Sequence, residues 1–202
     1  MDKTIEFLKG SLALAVAVLL VVFFLKSSGH SYPPGALAPA EPLQSATSPR
    51  TWNKNGFTIT ALAQYRIEAY VISTERYWLD TGAPLSPIDF AVGWGPASDP
   101  AVLSHLSYSQ GHRWFSYRPI GRVPVPLDVI APHCANMHLI PADDRIEGKL
   151  KSIRSSDIVN MAGYLVEARG GGKSAWRSSL TRTDTGAGAC ELMWVEEVSR
   201  RE

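Results

Sequence analysis

The chain has 202 residues, enough for one ordinary domain with additional segments. Its composition is 45% hydrophobic and 19% charged, which favours a packed core and excludes a wholly disordered chain. Without the three lysines and two acidic residues of the first 26 positions, the body has 17 basic and 17 acidic residues. We therefore expect no nucleic-acid binding, which depends on an excess of lysine and arginine.

The first 26 residues predict a transmembrane signal anchor. Positions 11–25 contain no charged residue and no helix breaker, and Lys9 and Lys26 bracket them. This run is shorter than the roughly 20 apolar residues of a spanning helix, but apolar residues before it lengthen it and the lysines can reach the headgroups. A cleaved signal peptide is the alternative. Because Lys3 and Lys9 precede the run, we expect a cytoplasmic N-terminus and an exported body.

Residues 27–51 predict a proline-rich tether. The stretch contains five prolines and few large apolar residues. Such a composition is typical of an extended spacer with polyproline character, which would hold the body away from the bilayer. A docking strip for a partner is the alternative.

The body, residues 52–202, begins with a strand pattern. Residues 58–73 alternate between apolar and polar side chains, which predicts one long strand with a buried face. Asp99 and Pro100 then predict the start of a short helix at PAVLSHL, as its N-cap and its first helical residue.

A second short helix is predicted near the middle of the body. Ile146, Leu150 and Ile153 in ADDRIEGKLKSI have the spacing of an amphipathic helix. The other patterns predict strands at PIDFAVGW, SYSQGHRWFSYRP, NMHLIP, DIVNMAGYLVEA, AWRSSLTR and ELMWVEEV. We therefore expect an α+β, mostly β fold, a compact and partly closed β-barrel with one or two short helices. The order of elements near the C-terminus is similar to that of an OB-type barrel.

An Asp-Thr-Gly-Ala sequence occurs twice, at 80–83 and 184–187. Each copy resembles the turn that holds a catalytic carboxylate in an aspartic protease, where two carboxylates share one proton. Only 18 residues follow Asp184, too few for a protease lobe. Asp-Thr-Gly is also a good turn sequence, because Asp bonds its own backbone and Gly takes a positive φ. We expect no catalytic residue, and a protease site at Asp80 and Asp184 is the alternative.

One cysteine, Cys134, lies between His133 and His138, and the other, Cys190, lies near the C-terminus. His133 and His138 are five residues apart, so on a strand they point to opposite faces, and no C-x-x-C motif accompanies them. We expect no metal or other cofactor, and a metal-dependent hydrolase at these histidines is the alternative. A Cys134–Cys190 disulfide is expected in an exported body. Two free buried thiols, or a Cys–His nucleophile pair without an assigned orienting acid, remain open.

Two stretches, 112–118 and 175–182, mix arginine with aromatic residues. On strands, such stretches present a face that can bind a peptide, a glycan or a base by stacking, while ordinary aromatic packing is the alternative. Polar residues at neighbouring strand ends, near the Gly-Trp-Gly loop at 93–95, extend this candidate surface. The expected binding residues are Arg113, Trp114, Asn136, His138, Trp176, Ser179 and Arg182.

Three runs carry a resemblance: LSPIDFAVGWGPASD, CANMHLIPADDRI and SSLTRTDTGAGACE. They resemble an uncharacterised family of bacterial proteins with one N-terminal membrane segment, over about residues 55–198. The resemblance implies a bacterial, membrane-tethered protein and transfers no catalytic residue.

These patterns together favour a protein of the bacterial inner membrane whose body faces the periplasm. We expect this body to act as a binding or assembly module rather than as an enzyme. Its expected partners are the membrane, through a single span, and another membrane or envelope protein. A hydrolase at one of the two sites above is the alternative function.

Overall fold

The computed structural model describes residues 32–170, 173–184, 186 and 188–201, without the side chains of 173 and 174. The predicted transmembrane segment, 1–26, and the beginning of the predicted tether lie outside these residues. Within the described ranges, no helix is long and apolar enough to cross a membrane.

The described residues form ten strands and three short α-helices. The helices are α1, Pro100–Leu103; α2, Leu127–Ile130; and α3, Asp144–Ser152. The strands are β1, Leu43–Ser45; β2, Thr51–Lys54; β3, Phe57–Arg76; β4, Ile88–Gly93; β5, Leu106–Gly111; β6, Trp114–Pro119; β7, Cys134–Pro141; β8, Ile158–Gly170; β9, Lys173–Arg177; and β10, Glu191–Arg200.

Five of these strands pair in a ring. The order is β3, β4, β7, β10 and β8, and β8 pairs again with β3. All neighbours are antiparallel except β7 and β10, which run parallel. The small strands β1 and β2 pair with β3, and β9 pairs with β8. The mostly β architecture with short helices and a ring-like sheet confirms the sequence-based prediction.

Two hydrophobic clusters cover opposite faces of the ring. Leu139 and Ile140 are adjacent on β7 and belong to different clusters, because successive strand residues point to opposite faces. The cluster of Leu139 also contains residues of β4, β8, β10 and α3. The long strand β3 contributes to both clusters, because a bulge between Ala61 and Ala63 shifts its register against β8. The predicted buried face of 58–73 is thus confirmed, although two separate clusters share it.

Both predicted helices form, and their caps explain where they begin. The Asp99 carboxylate accepts a hydrogen bond from the Ala101 amide at 2.8 Å, and that of Asp143 accepts one from the Ile146 amide at 2.7 Å. The helix α2 is an additional single turn that the sequence patterns did not predict.

Two predicted strands differ from the structure. The stretch SYSQGHRWFSYRP is a hairpin, β5 and β6, rather than one strand, because His112 and Arg113 adopt positive φ values of 52° and 69° and reverse the chain. Arg113 therefore lies in a turn and shares no strand face with Phe115 and Tyr117. The strand predicted at AWRSSLTR ends at Arg177, so the residues after it do not form a continuous face.

The segment predicted as a tether contributes to the domain from Tyr32 onward. Ala38 is fully buried, and its carbonyl accepts a hydrogen bond from the Gly95 amide at 2.8 Å. The indole nitrogen of Trp94 donates to the Glu41 carboxylate at 2.9 Å, and β1 pairs with β3. These contacts hold residues 32–45 against the ring.

We predict that Gly163→Ala lowers the free energy of unfolding by about 1–3 kcal/mol, the usual cost of overpacking. An added Cβ at Gly163 would lie 2.0 Å from the backbone oxygen of Trp194 on the paired strand β10. Urea unfolding followed by tryptophan fluorescence measures the effect. Gly148→Ala in α3 is the control: nothing lies within 4 Å of its added Cβ, and we expect a gain of about 0.5–1 kcal/mol. Equal effects of the two substitutions would contradict the packing argument.

Candidate functional site

The candidate site is built around Asp89, an acidic residue in the middle of a buried strand. Ile88 and Phe90 on either side pack into the cluster of Leu139, so Asp89 points to the opposite face of β4. Its side chain is completely buried. His138 on β7 is its direct cross-strand partner. A buried carboxylate must be compensated by donors, and two side chains provide them.

The first donor is Arg113, which the β5–β6 turn carries to the site. Its Nη1 donates to Asp89 Oδ1 at 2.9 Å, while its Nε and Nη2 donate to the two oxygens of Asp80 at 3.2 and 3.0 Å. The guanidinium lies 3.7 Å from the ring centroid of Tyr77 and 5.5 Å from that of Trp176. Arg113 thereby joins the hairpin to β4 and to the loop after β3.

The second donor is His138. Its Nδ1 donates to Asp89 Oδ2 at 2.8 Å, and its ring lies against Trp176 with 4.9 Å between centroids. Burial by itself would lower the pKa of His138, but hydrogen bonds with Asp89 and with Cys190 raise that pKa to about 9. His138 is therefore an imidazolium at neutral pH.

Cys190 and Asn136 complete the cluster. Cys190 immediately precedes β10, which runs parallel to β7, and its thiol lies close enough to His138 to raise the pKa of that imidazole. The Asn136 amide nitrogen lies 3.9 Å from the Cys190 sulfur and donates to the backbone oxygen of Arg113 at 3.1 Å. The Gln110 amide donates to Asn136 Oδ1 at 3.0 Å, which orients the asparagine with its nitrogen towards the sulfur.

The first Asp-Thr-Gly-Ala sequence forms one wall of this cluster. Asp80 accepts a hydrogen bond from the Gly82 amide at 2.8 Å, as the turn interpretation predicted. Burial opposes ionisation, but Arg113 and the amides of Gly82 and Ala83 hold the pKa of Asp80 below its usual value. Gly82 does not take the predicted positive φ, and its lack of a side chain instead leaves room for Trp176, whose ring would lie 3.0 Å from an added Cβ.

The second copy lies apart from the first. Asp184 accepts a hydrogen bond from the Ser179 hydroxyl at 2.6 Å, and Gly186 has a positive φ of 81°. No hydrogen bond joins Asp80 to Asp184 in the described residues, because each carboxylate is held by its own partner. The alternative site at Asp80 and Asp184 is therefore not assembled as a proton-sharing pair.

His133 is separated from His138 by its position before β7. Its Nδ1 lies 2.7 Å from the Val129 carbonyl oxygen and its Nε2 lies 3.0 Å from Glu41. Among the described residues, no group of three or more histidine, cysteine, aspartate or glutamate side chains is arranged to hold a metal ion.

The predicted Cys134–Cys190 disulfide is not formed, and both cysteines are free thiols. The parallel register of β7 and β10 places Cys190 beside Asn136, two residues beyond Cys134. The Cys134 thiol instead bonds the Ala131 carbonyl at 3.7 Å and the side chain of Tyr117. Burial raises the pKa of Cys134 to about 11. The hydrogen bond from Tyr117 lowers this pKa, but by less than burial raises it.

The structure brings together four of the seven predicted binding residues: Arg113, Asn136, His138 and Trp176. The Arg182 guanidinium instead pairs with Glu191 and donates to Gln44 at 3.0 Å, and Ser179 belongs to the turn of Asp184. The Gly-Trp-Gly loop packs near His133 rather than His138.

Asp89 was not among the residues predicted from the sequence, and the role of Cys190 was left open there. The signal for Asp89 was available, because it is the one charged residue of the apolar run PIDFAVGW. A fully buried acid in a strand requires a cationic partner, which would have directed attention to a neighbouring histidine or arginine.

A cleft of about 900 Å³ lies beside the cluster, between the loop after β3 and the β5–β6 hairpin. Trp78, Leu79 and Trp114 line it and are 75%, 99% and 51% exposed. Tyr77, Asp80 and Arg113 line it from the side of the cluster. A smaller cavity of about 540 Å³, lined by residues of β3, β8 and β10, contains no cysteine, histidine or tryptophan.

Comparisons of the chain with protein-family models, curated proteins and solved structures give no match.

We predict that Arg113→Met lowers the free energy of unfolding by about 2–4 kcal/mol, because it leaves buried Asp89 with one cation fewer. Arg118→Met is the control on the same hairpin. Arg118 is exposed, and its replacement should change stability by less than about 0.5 kcal/mol. Urea unfolding measures both variants. A loss for Arg113→Met no larger than that of the control would show that the ion pairs are not structural.

We predict that stability falls as the pH rises from about 6.5 to about 9. The pKa of His138 is raised from 6.5 in the free side chain to about 9 in the folded protein, so its stabilising effect is complete below 6.5 and is lost through 9. The loss is on the order of 3 kcal/mol. The free energy of unfolding, measured across this range, should depend less on pH in His138→Gln than in wild type. It should keep the wild-type dependence on pH in His105→Gln, whose side chain is exposed.

Proposed function

We propose that this chain is a membrane-anchored, extracytoplasmic binding module that docks a protein partner in the cleft of Trp78, Leu79 and Trp114. The single observation that carries the proposal is the exposure of these three large apolar side chains on one cleft. The partner chemistry that fits is an apolar, uncharged protein surface.

The composition of the cleft supports a protein as the occupant. Tryptophan, tyrosine and arginine are the residues that most often dominate binding energy at protein interfaces, and the cleft contains all three. Serine, glycine and glutamine occupy other positions of its wall, as in adaptable binding surfaces. Contiguous exposed apolar surface of this kind marks interaction sites.

The charges around the cleft are largely compensated within the domain. Arg113 is paired with Asp80 and Asp89. Arg76, which donates to the Lys151 carbonyl, shares the cleft wall with the acidic Glu75. An anionic polymer would find few free cations here, in agreement with the neutral composition of the body. An apolar partner avoids the cost of removing water from unpaired charges.

We further infer that the ring is an OB-type barrel. The five ring strands in chain order are β3, β4, β7, β8 and β10. Around the ring they pair in the order first, second, third, fifth, fourth and back to the first, and α3 connects the third strand to the fourth. OB-type barrels bind ligands on the face of their second and third strands and through the loops 1–2 and 4–5. The same face carries Asp89 and His138 here, and the loop after β3 forms part of the cleft. This support is an analogy of fold.

The membrane attachment rests on the sequence. The uncharged run at 11–25, the lysines around it and the resemblance to a bacterial family with one membrane segment support an anchor at 1–26. We propose that the domain faces the periplasm and that the partner is another membrane or envelope protein.

Site-directed photo-crosslinking in intact cells tests the proposal. We expect a photoreactive residue in place of Trp114 to cross-link one protein that the same residue in place of Leu43, exposed but outside the cleft, does not capture. With that protein purified, Trp78→Ala and Trp114→Ala should each weaken binding by about 10–100-fold, and Leu43→Ala by less than about twofold. Unfolding midpoints close to wild type should accompany these losses, because the side chains are exposed.

Three outcomes would contradict this proposal. Cross-linking to the same proteins from both positions would show that the cleft is not the docking surface. Unchanged affinity in both tryptophan variants would exclude their proposed role as contact residues. Protease protection of the domain in spheroplasts, in place of digestion, would contradict the periplasmic orientation.

A further inference from the structure

We propose that Cys190 is a nucleophilic thiol that accepts an acyl group, with His138 as its proton-transfer partner and Asp89 as the residue that positions His138. The inference does not depend on the docking surface proposed above. It assigns a chemical role to the buried cluster rather than to the exposed cleft.

The strand order brings the three side chains together. Asp89 and His138 are cross-strand partners on β4 and β7, and β10 begins alongside β7 directly after Cys190. All three therefore lie close together on one face of the ring, the face opposite the cluster of Leu139. This is the arrangement of nucleophile, base and orienting acid found on unrelated folds.

Asp89 determines which nitrogen of His138 is available. The Nδ1 atom donates to Asp89 Oδ2 at 2.8 Å, so Nε2 is the nitrogen left to interact with the neighbouring Cys190 thiol. Trp176 packs against the imidazole, and Asp89 is itself held by Arg113. The imidazole is thus held by Asp89 and Trp176, and it cannot rotate away from the sulfur without breaking both contacts.

A second donor also faces the sulfur. The Asn136 amide nitrogen lies 3.9 Å from Cys190 Sγ, and its orientation is held by Gln110 and by the Arg113 carbonyl. A negative charge on the sulfur, or on an oxygen bonded to the carbon that the sulfur attacks, would lie within reach of this N–H. The pair of donors, Nε2 of His138 and Nδ2 of Asn136, would both face a negative charge that develops at this position during the reaction.

The charged groups around His138 favour its cationic form. Asp89 faces it from β4, Cys190 from the start of β10, and Arg113 and Asp80 lie behind Asp89. The next acid along the chain, Glu191, is engaged by Arg182. The carboxylates of Asp80 and Asp89 balance the guanidinium of Arg113 and the imidazolium of His138. The cluster is therefore neutral as long as Cys190 carries its proton. Transfer of the thiol proton away from the cluster then yields the thiolate–imidazolium pair.

Cys134 provides a contrast within the same chain. Both thiols are partly buried, but Cys134 bonds only a backbone carbonyl and a tyrosine, and burial raises its pKa to about 11. No cation faces it in the described structure. A cysteine of this kind stays protonated and unreactive at neutral pH, so Cys134 serves as an internal control.

The proposed step is acyl transfer to sulfur. The Cys190 thiolate attacks the carbonyl carbon of an acyl group on a good leaving group, an S–C bond forms, and the bond from carbon to the leaving group breaks. His138 gives its Nε2 proton to the departing oxygen or sulfur. Water, deprotonated by the then neutral His138, can attack the thioester, release the carboxylic acid and restore the thiolate–imidazolium pair.

Alkylation of the reduced full-length protein tests the state of the thiol. We expect iodoacetamide to modify Cys190 at pH 6 at least about tenfold faster than it modifies N-acetylcysteine, with a rate that is nearly flat from pH 6 to 8. Cys134 should remain unmodified, as peptide mass spectrometry would show. A Cys190 rate that rises tenfold for each pH unit, like that of an ordinary thiol, would overturn the proposal.

Acylation tests the chemistry. We expect p-nitrophenyl acetate to leave an acetyl group on Cys190 with release of one equivalent of p-nitrophenolate, in wild type and in Cys134→Ser but not in Cys190→Ser. Absence of the acetyl group from Cys190 would overturn the acyl-transfer assignment. These measurements require no substitution in the buried Asp89–His138 pair.

The role of His138 is tested by His138→Gln. If the variant folds, its alkylation rate should regain the tenfold rise per pH unit. A folded variant that keeps the flat wild-type profile would overturn the pairing of His138 with Cys190. If it does not fold, Asn136→Ala supplies the comparison, with an expected loss of about tenfold or more in acylation rate. Unchanged acylation in Asn136→Ala would overturn the arrangement of donors.

Discussion

The carboxylate of Asp89 is the point on which this structure depends. It is fully buried, and it is stabilised by Arg113 on one oxygen and by His138 on the other. An unpaired charge in this position would cost several kcal/mol. The requirement to pair it links three separate parts of the chain: the ring strands β4 and β7, and the hairpin between them in sequence. The loop carrying Asp80 joins through the same arginine.

This arrangement connects the two surfaces for which we propose functions. Arg113 belongs to the buried cluster through its side chain and to the wall of the exposed cleft through its position in the hairpin turn. The backbone carbonyl of the same residue holds Asn136, which faces Cys190. A displacement of the hairpin would therefore reach the thiol through two hydrogen bonds. The ring provides a rigid base for both surfaces, since its strands pair on both sides.

The two cysteines show how environment rather than residue type decides chemistry. They lie near each other on parallel neighbouring segments, yet one faces a histidine and an asparagine amide, and the other faces a carbonyl and a tyrosine. The two Asp-Thr-Gly-Ala sequences show the same principle. One supports the arginine of the cluster, and the other closes a separate turn with Ser179.

The sequence by itself determined the elements with local causes: the alternating strand predicted at 58–73, the two short helices that Asp99 and Asp143 cap, and the neutral charge of the body. It also indicated four residues of the cluster, because arginine, tryptophan, asparagine and histidine at strand ends suggest a site. Only the tertiary structure decided that Arg113 sits in a turn, that Asp89 meets His138 and that Cys190 reaches that histidine rather than Cys134. The contacts of Arg113 with Asp89, of Asp89 with His138 and of Asn136 with Cys190 join residues 24, 49 and 54 positions apart. They depend on strand order and register, which local patterns do not encode.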